Sequence, residues 1–430
     1  MAKEKPTWYE TPAVQDMMTS LGGKAVRGVM SNYFSANLLT GKVGLIGLTE
    51  YFKATLDPED RRALIICDDF TKRYTKKVTD LLETIDMDYR IYDKVIPEVP
   101  LYQIEETIKI CEEFKPKVLI AIGGGSVIDA TKITMLKYEK PEENLLMILP
   151  IGSVGLRKKI KYLVAIPTTS GTGSEVTSAA VFTDTDRNPP KKIEILVSEV
   201  VPDLAVLDTD FVKDMPPFLT MATGLDALSH SVGSYVSNWG TPYVDAMNIT
   251  AIKEIIKYLP RAYKYGAKDL EARAHMQMAA TMAGLGFGNS IPGIDHSLGH
   301  SFGKVFGVHH GLSVGLFTPY SVDFQSKVTD RWMDLCPIFN VETKGKRKKP
   351  DLLKEFMEAL KSFMHSLDAP TCVKDLKNPV INKQEYFDKL DLIADYAFND
   401  AVSLFSYRTI TPETMRKIYE YAWDDKFIDF

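Results

Sequence analysis

Four short apolar runs, each leading into a polar or glycine-rich turn, constrain this chain most. They are ALIICDD (Ala63–Asp69), KVLIAIGGGS (Lys117–Ser126), KYLVAIPTTSGTGSE (Lys161–Glu175) and DLAVLD (Asp203–Asp208). Their apolar residues are continuous rather than alternating, as in strands buried on both faces, and such strands belong to parallel sheets covered by helices. Helical periods run between them, from Lys76 to Ile85 and from Leu101 to Phe114, with a further short strand at YRIYDKV. This alternation predicts a parallel, doubly wound sheet in the first half. The stretch from Asn32 to Arg62 predicts an edge strand or hairpin with Gly41 and Gly44 at the turns, then a helix. Val14, Met17, Met18 and Leu21 stand at helical spacing, so the segment from Met1 to about Met30 reads as a helix packed on the body or on a second subunit.

After MPPFLTMATG (Met215–Gly224) the strand-like runs nearly stop. Helical periods take over through Val244–Tyr258, Leu270–Phe287, Leu352–Leu367, Tyr386–Phe398 and Pro412–Trp423. The expected organisation is an α/β domain over residues 1–212, its first 30 residues an extension, and an all-α domain over residues 213–430. A net charge of −5 on 430 residues supplies no basic face, which argues against a nucleic-acid or anionic-membrane role. Cys67, Cys111, Cys336 and Cys372 lie far apart without CxxC spacing, which fits buried thiols in a reducing compartment. MAKEKPTWYE lacks the apolar core of a signal peptide and no apolar run is long enough to span a bilayer, so a cytoplasmic location is expected.

Two loops at strand ends carry nucleotide-binding chemistry. In GGGSVIDATK, Gly123, Gly124, Gly125 and Ser126 follow a strand and open a helix, letting backbone amides approach a pyrophosphate. Asp129 and Lys132 fall on the first turns of that helix, placed to touch a cofactor or only to cap and pair. Thr168, Thr169, Thr172 and Ser174 form a second polar loop after the next strand. Asp68, at the end of its strand, is the kind of acid that accepts from a ribose 2′-hydroxyl and repels a 2′-phosphate, which argues for NAD over NADP; the alternative is an N-cap.

Histidines supply the other signal. Four of the seven fall within Ala283–Gly311: His296, His300, His309 and His310. His230 follows Asp226 by four residues, so on a helix the two share a face, and His296 and His300 repeat that spacing. A lone histidine is ordinarily a hydrogen-bonded structural ring. An aspartate with several imidazoles is instead a ligand set for Fe(II), Zn(II) or a similar divalent ion.

GGGSVIDATK, IPTTSGTGSEVT, MPPFLTMATGLDALSH and IDHSLGHSFGKVFGVHHG occur in the order seen in the iron-containing alcohol dehydrogenases, which the chain resembles from about Phe34 to Trp423. The resemblance implies a dehydroquinate synthase-like fold, with a dinucleotide-binding α/β domain, a helical metal-binding domain and a cleft between them. It makes Asp226, His230, His296 and His310 the metal ligands, places His300 near the nicotinamide as a proton relay, and leaves His309 without a role. It also implies a homodimer or larger homo-oligomer. Three residues depart from the family's usual pattern: Val127 for a proline, Gly233 for a glutamate, and Asp295 for an apolar residue.

The expected activity is the interconversion of a small alcohol with its aldehyde or ketone. The metal polarises the substrate oxygen and NAD exchanges the hydride. A zinc-dependent glycerol dehydrogenase and a dehydroquinate synthase-like lyase are the rivals, and the pairing of Asp226 with His230 weighs against both. Phe287, Ile291, Ile294, Phe306 and Phe182 are candidates for an apolar substrate pocket or for ordinary core.

Overall fold

The computed structural model describes residues 7–12, 14, 16, 33–148, 153–185, 191–345 and 347–430. Of the helix expected over Met1 to Met30, all but residues 7–12, 14 and 16 lies outside the described residues. The chain divides into two compact units, which contain Tyr33–Asp214 and Met215–Phe430 respectively.

The first unit is built on eight strands among the described residues: β1 (Asn37–Thr40), β2 (Arg62–Cys67), β3 (Asp88–Tyr92), β4 (Val118–Gly123), β5 (Tyr162–Pro167), β6 (Ala179–Asp184), β7 (Lys191–Leu196) and β8 (Leu204–Leu207). Six of them form a sheet in the order β1-β8-β5-β4-β2-β3, parallel throughout. Every residue of β4 is buried, and successive side chains enter opposite layers. Val118, Ile120 and Ile122 pack with Phe52 of α1 (Gly44–Thr55) and Val78 of α2 (Thr75–Glu83). Leu119 and Ala121 pack with Ile104 of α3 (Leu101–Phe114) and Ile133 of α4 (Gly125–Glu139). Burial on both faces is what the continuous apolar runs require.

Of the two alternatives for β1, edge strand or hairpin, the structure has the edge strand: β1 pairs in parallel with β8, and Gly44 opens α1, where a Cβ would come 2.9 Å from the Leu39 carbonyl oxygen. β6 and β7 form an antiparallel pair that the sequence reading did not assign. Its Ala180, Phe182, Ile193 and Ile195 alternate into the layer containing α4, so Phe182 is core and not pocket.

The second unit is helical. It comprises α5 (Pro217–Val236), α6 (Pro242–Tyr265), α7 (Leu270–Phe287), α8 (Ile294–Phe306), α9 (His310–Gln325), α10 (Lys349–His365), α11 (Lys383–Asp388), α12 (Leu390–Phe398) and α13 (Pro412–Asp424). Pro217 opens α5, where its missing N–H costs nothing. From Thr220 onward every residue of α5 is buried, and it packs against α6, α7, α8 and α9 as the central helix. Gly307, left-handed at φ 68°, ends α8, and α9 starts three residues later. Ile294 and Phe306 belong to this core, Phe306 lying against Phe302 and Tyr386. Among the described residues no helix is long and apolar enough to cross a membrane.

Candidate metal centre and dinucleotide loops

Asp226 and His230 lie one turn apart on α5, and both are buried. His296 sits in the first turn of α8, and His310 opens α9. The three helices converge on one atom, Asp226 Oδ1. It stands 3.8 Å from His230 Nε2, 3.8 Å from His296 Nε2 and 3.4 Å from His310 Nε2. Two consecutive tight spots make this possible. A Cβ on Gly311 would lie 2.2 Å from the Ala222 carbonyl oxygen, and one on Gly315 would lie 2.8 Å from Leu225 Cβ. Glycine at both positions lets α9 lie directly against α5.

The donor set fits a divalent cation. Asp226 Oδ1 and His296 Nε2 are buried and have no hydrogen-bond partner among the described residues. Leaving both atoms unmet is costly unless something absent from the polypeptide satisfies them. Bonds of about 2.1 Å to a tetrahedral ion set ligand atoms about 3.4 Å apart, close to the separations seen. Asp226, His296 and His310 form a group with ligand atoms mutually within 4.8 Å. His230 joins them through Asp226, its ring stacked between Phe287 at 3.9 Å and His296 at 4.4 Å. Phe287 therefore covers the His230 ring.

Electrostatics prepare the rings for this role. Burial lowers the pKa of His230 to about 3 and that of His310 to about 4, so both present lone pairs at neutral pH. Burial opposes charge on Asp226 too, but the surrounding imidazoles outweigh it and hold the carboxyl well below its usual range. His296 differs. Burial pushes its pKa down, yet the Asp226 and Asp295 carboxylates raise it to about 9, so a metal entering here displaces a proton.

His300 stacks on His310 at 5.2 Å, and its Nδ1 is 2.9 Å from Asp400 Oδ2. Asp400 also accepts from the Val402 amide at 2.9 Å. Sequence reasoning missed Asp400, an acid in a polar loop 100 positions from its partner with no spacing to mark it. His309 precedes α9, exposed, with its ring edge-on to Phe218.

In the first unit the two predicted loops meet. β4 and β5 are neighbours, with Gly123 in register with Pro167. A Cβ on Gly124 would touch Thr169 at 3.3 Å and one on Gly125 would touch Thr172 at 3.0 Å, while a Cβ on Gly123 would run into Val127 at 2.4 Å. Gly123–Ser126 thus lead into the open first turn of α4 beside Thr168, Thr169 and Thr172, and first-turn amides have no intrahelical acceptor.

Asp129 and Ser174 are engaged with each other. Ser174 Oγ donates to Asp129 Oδ1 at 2.6 Å, and the Val181 amide donates to Oδ2 at 3.1 Å. Lys132, fully buried, donates to Ser174 Oγ, Thr177 Oγ1 and the carbonyls of Thr177 and Ala179. Of the open alternatives for Asp129 and Lys132, pairing within the loop is what the contacts show. Asp68 Oδ1 accepts from the Thr71 amide at 2.6 Å and hydroxyl at 2.9 Å, so this acid caps its own turn at the end of β2.

Residues 44–209 match the family model for iron-containing alcohol dehydrogenase, and residues 220–423 match the C-terminal model of the same family. The chain is 32% identical over 359 residues to the NADPH-dependent butanol dehydrogenase of Clostridium saccharobutylicum, covering 83% of this chain and 89% of that protein. It is 29% identical over 366 residues to the NAD-dependent methanol dehydrogenase of Bacillus methanolicus, covering 84% and 92%. Among solved structures, the alcohol dehydrogenase from Oenococcus oeni superposes with a TM-score of 0.82 at 25% identity, covering 92% of this chain and 100% of that one. The iron-containing alcohol dehydrogenase from Thermococcus thioreducens gives 0.80 at 28%, with the same coverage.

Proposed function

This chain belongs to the iron-containing alcohol dehydrogenase family, and from that premise we propose that Asp226, His230, His296 and His310 hold the metal for oxidation of a small alcohol with NAD. The family makes it a metal-dependent, NAD(P)-linked alcohol oxidoreductase. The ligand assignment rests on one observation: three imidazole nitrogens surround a single buried carboxylate oxygen that has no hydrogen-bond partner among the described residues.

When bound, a divalent cation supplies the Lewis acidity that favours a deprotonated alcohol, and a nicotinamide supplies the hydride acceptor. Asp226 contributes the anionic charge and the neutral rings of His230 and His310 contribute lone pairs. Phe287 lies flat on His230 and excludes water from that side. His300, donating from Nδ1 to Asp400, presents Nε2 as its acceptor atom, and there we place the proton relay. Gly123, Gly124, Gly125 and Ser126, with Thr168, Thr169 and Thr172, bind the pyrophosphate through backbone amides and hydroxyls. Asp129 and Ser174 shape that loop. Asp68, negatively charged at the end of β2, favours NAD over NADP. We take Fe(II) as the working metal and Zn(II) as its tighter-binding competitor. The relatives named for butanol and methanol make short primary alcohols the first substrates to try. The family precedent favours a homo-oligomer, and the four buried free thiols suit a reducing cytoplasm.

Anaerobic reconstitution of the metal-stripped protein with Fe(II) or Zn(II), followed by NADH absorbance over a panel of short alcohols and diols, tests this reading. Metal-dependent NADH formation that disappears in His296→Ala is the expected result. Cofactor binding without turnover of any alcohol or aldehyde, with either metal, would sink it and favour a lyase.

A further inference from the structure

Two residues singled out in the sequence, Gly233 and Asp295, meet behind His296. Asp295 is the second residue of α8 and is completely buried. Its Oδ1 accepts twice from the next residue, from the His296 backbone amide at 2.7 Å and at 2.9 Å from the ring, where Nδ1 is the donor. Its Oδ2 is buried with no hydrogen-bond partner among the described residues. The niche exists because two glycines stand backbone to backbone. A Cβ on Gly233 of α5 would lie 2.5 Å from the Gly293 nitrogen and 2.8 Å from Asp295 Oδ2, and one on Gly293 would lie 2.8 Å from Gly233 Cα.

A buried carboxylate with one unmet oxygen is costly where it stands, unless a positive charge lies close by. The first-turn amides of α8 supply part of that charge. The remainder lies across the ring. With Nδ1–H donated to Asp295, Nε2 is the nitrogen left to a metal once that metal displaces its proton, and Nε2 faces Asp226 Oδ1 across 3.8 Å. Accepting from the backbone amide as well as the ring anchors Oδ1, so the imidazole can neither flip nor rotate without breaking a buried bond.

We propose that Asp295 is a positioning residue for the metal: it locks the tautomer and orientation of His296 through Nδ1, in a niche that glycine at 233 and 293 keeps open. The inference rests on the proposed metal centre. Carboxylates in this relation to a ligand histidine typically govern metal affinity by about 10–100-fold.

The test measures Zn(II) affinity of the metal-stripped full-length protein by competition with a chromophoric chelator, for the wild type, Asp295→Asn and His296→Ala. Asp295→Asn should bind Zn(II) about 10–100-fold more weakly while its metal-free melting temperature stays near that of the wild type. Wild-type affinity in Asp295→Asn overturns the inference and leaves the metal centre standing. A wild type that takes up neither Zn(II) nor Fe(II) overturns the metal centre and the inference with it. A second measurement needs no variant to fold. In the Zn(II)-loaded wild type labelled with 15N-histidine, the His296 ring should be the Nδ1–H tautomer with a slowly exchanging proton, and an Nε2–H ring there would refute the role of Asp295.

Discussion

Substituting Gly311 with alanine adds a single methyl group to the second residue of α9, directly after His310. The new Cβ would sit 2.2 Å from the Ala222 carbonyl oxygen, 2.9 Å from its carbon and 3.0 Å from Asp226 Cβ. Ordinary contact distances are roughly 1 Å longer than the shortest of these. The obstructing atoms are mainly backbone of α5, which no side-chain rotation can clear, so α9 must move away by a comparable amount. His310 moves with it, widening its present 3.4 Å separation from Asp226 Oδ1. A misplacement of about 1 Å costs on the order of 100-fold where geometry is critical, and overpacking costs about 1–3 kcal/mol. Gly311→Ala should therefore lose about 100-fold in Zn(II) affinity, while its metal-free form melts roughly 2–12 °C lower, as expected for a unit of this size. Chelator competition and calorimetry read the two effects. Gly47→Ala is the control, since its Cβ would meet only Leu39 Cδ2 at 3.6 Å within α1. That change should be neutral or stabilising by about 0.5–1 kcal/mol. Gly311→Ala with wild-type metal affinity would refute the claim that contact between α5 and α9 sets the ligand geometry.

Other expectations concern the first unit and the thiols. Lys132→Met leaves the Thr177 and Ala179 carbonyls and nearby Asp129 without their buried cation, so urea titration should show a loss of about 3–5 kcal/mol, with nothing lost if the lysine is dispensable. Asp210 is held down to about 2 by hydrogen bonds from Lys77 and Lys213. A carboxyl depressed in the fold stabilises above its unfolded pKa of about 3.9 and loses that contribution as pH falls toward 2. Asp210→Asn should then cost about 1 kcal/mol or less at pH 7 and nothing near pH 2, as followed by acid denaturation. Burial pushes the thiols of Cys67, Cys111 and Cys372 up to about 12 and that of Cys336 to about 11. A thiol reagent at pH 8 should label these four only after unfolding, and rapid labelling of the native protein would contradict their burial.

Features carried by adjacent residues were legible in the sequence. Continuous apolar runs identify parallel strands because burial on both faces leaves no polar alternative, and the i, i+4 spacing of Asp226 and His230 needs only one helix to become geometry. Features made by tertiary meeting were not. Asp400 reaches His300 from a separate loop. Asp129 and Lys132 sit where a cofactor contact is equally reasonable, and only the position of Ser174, Thr177 and Ala179 turns them inward. Phe182, Ile294 and Phe306 read as well for pocket as for core, since a hydrophobic residue carries no mark of which side of a helix or strand will be covered. Asp295 stood out in the sequence as a departure, but its partner could be found only once α8 had a direction.

The gathering of three histidine rings around Asp226 also bears on the charge the pocket can hold. Asp226 and the Asp295 carboxylate behind His296 would together balance a divalent ion, whereas a trivalent ion would leave one charge unbalanced, in a pocket where Asp226 and His296 are almost wholly screened from water. Low polarisability penalises charge steeply, so such surroundings would favour a divalent over a trivalent ion.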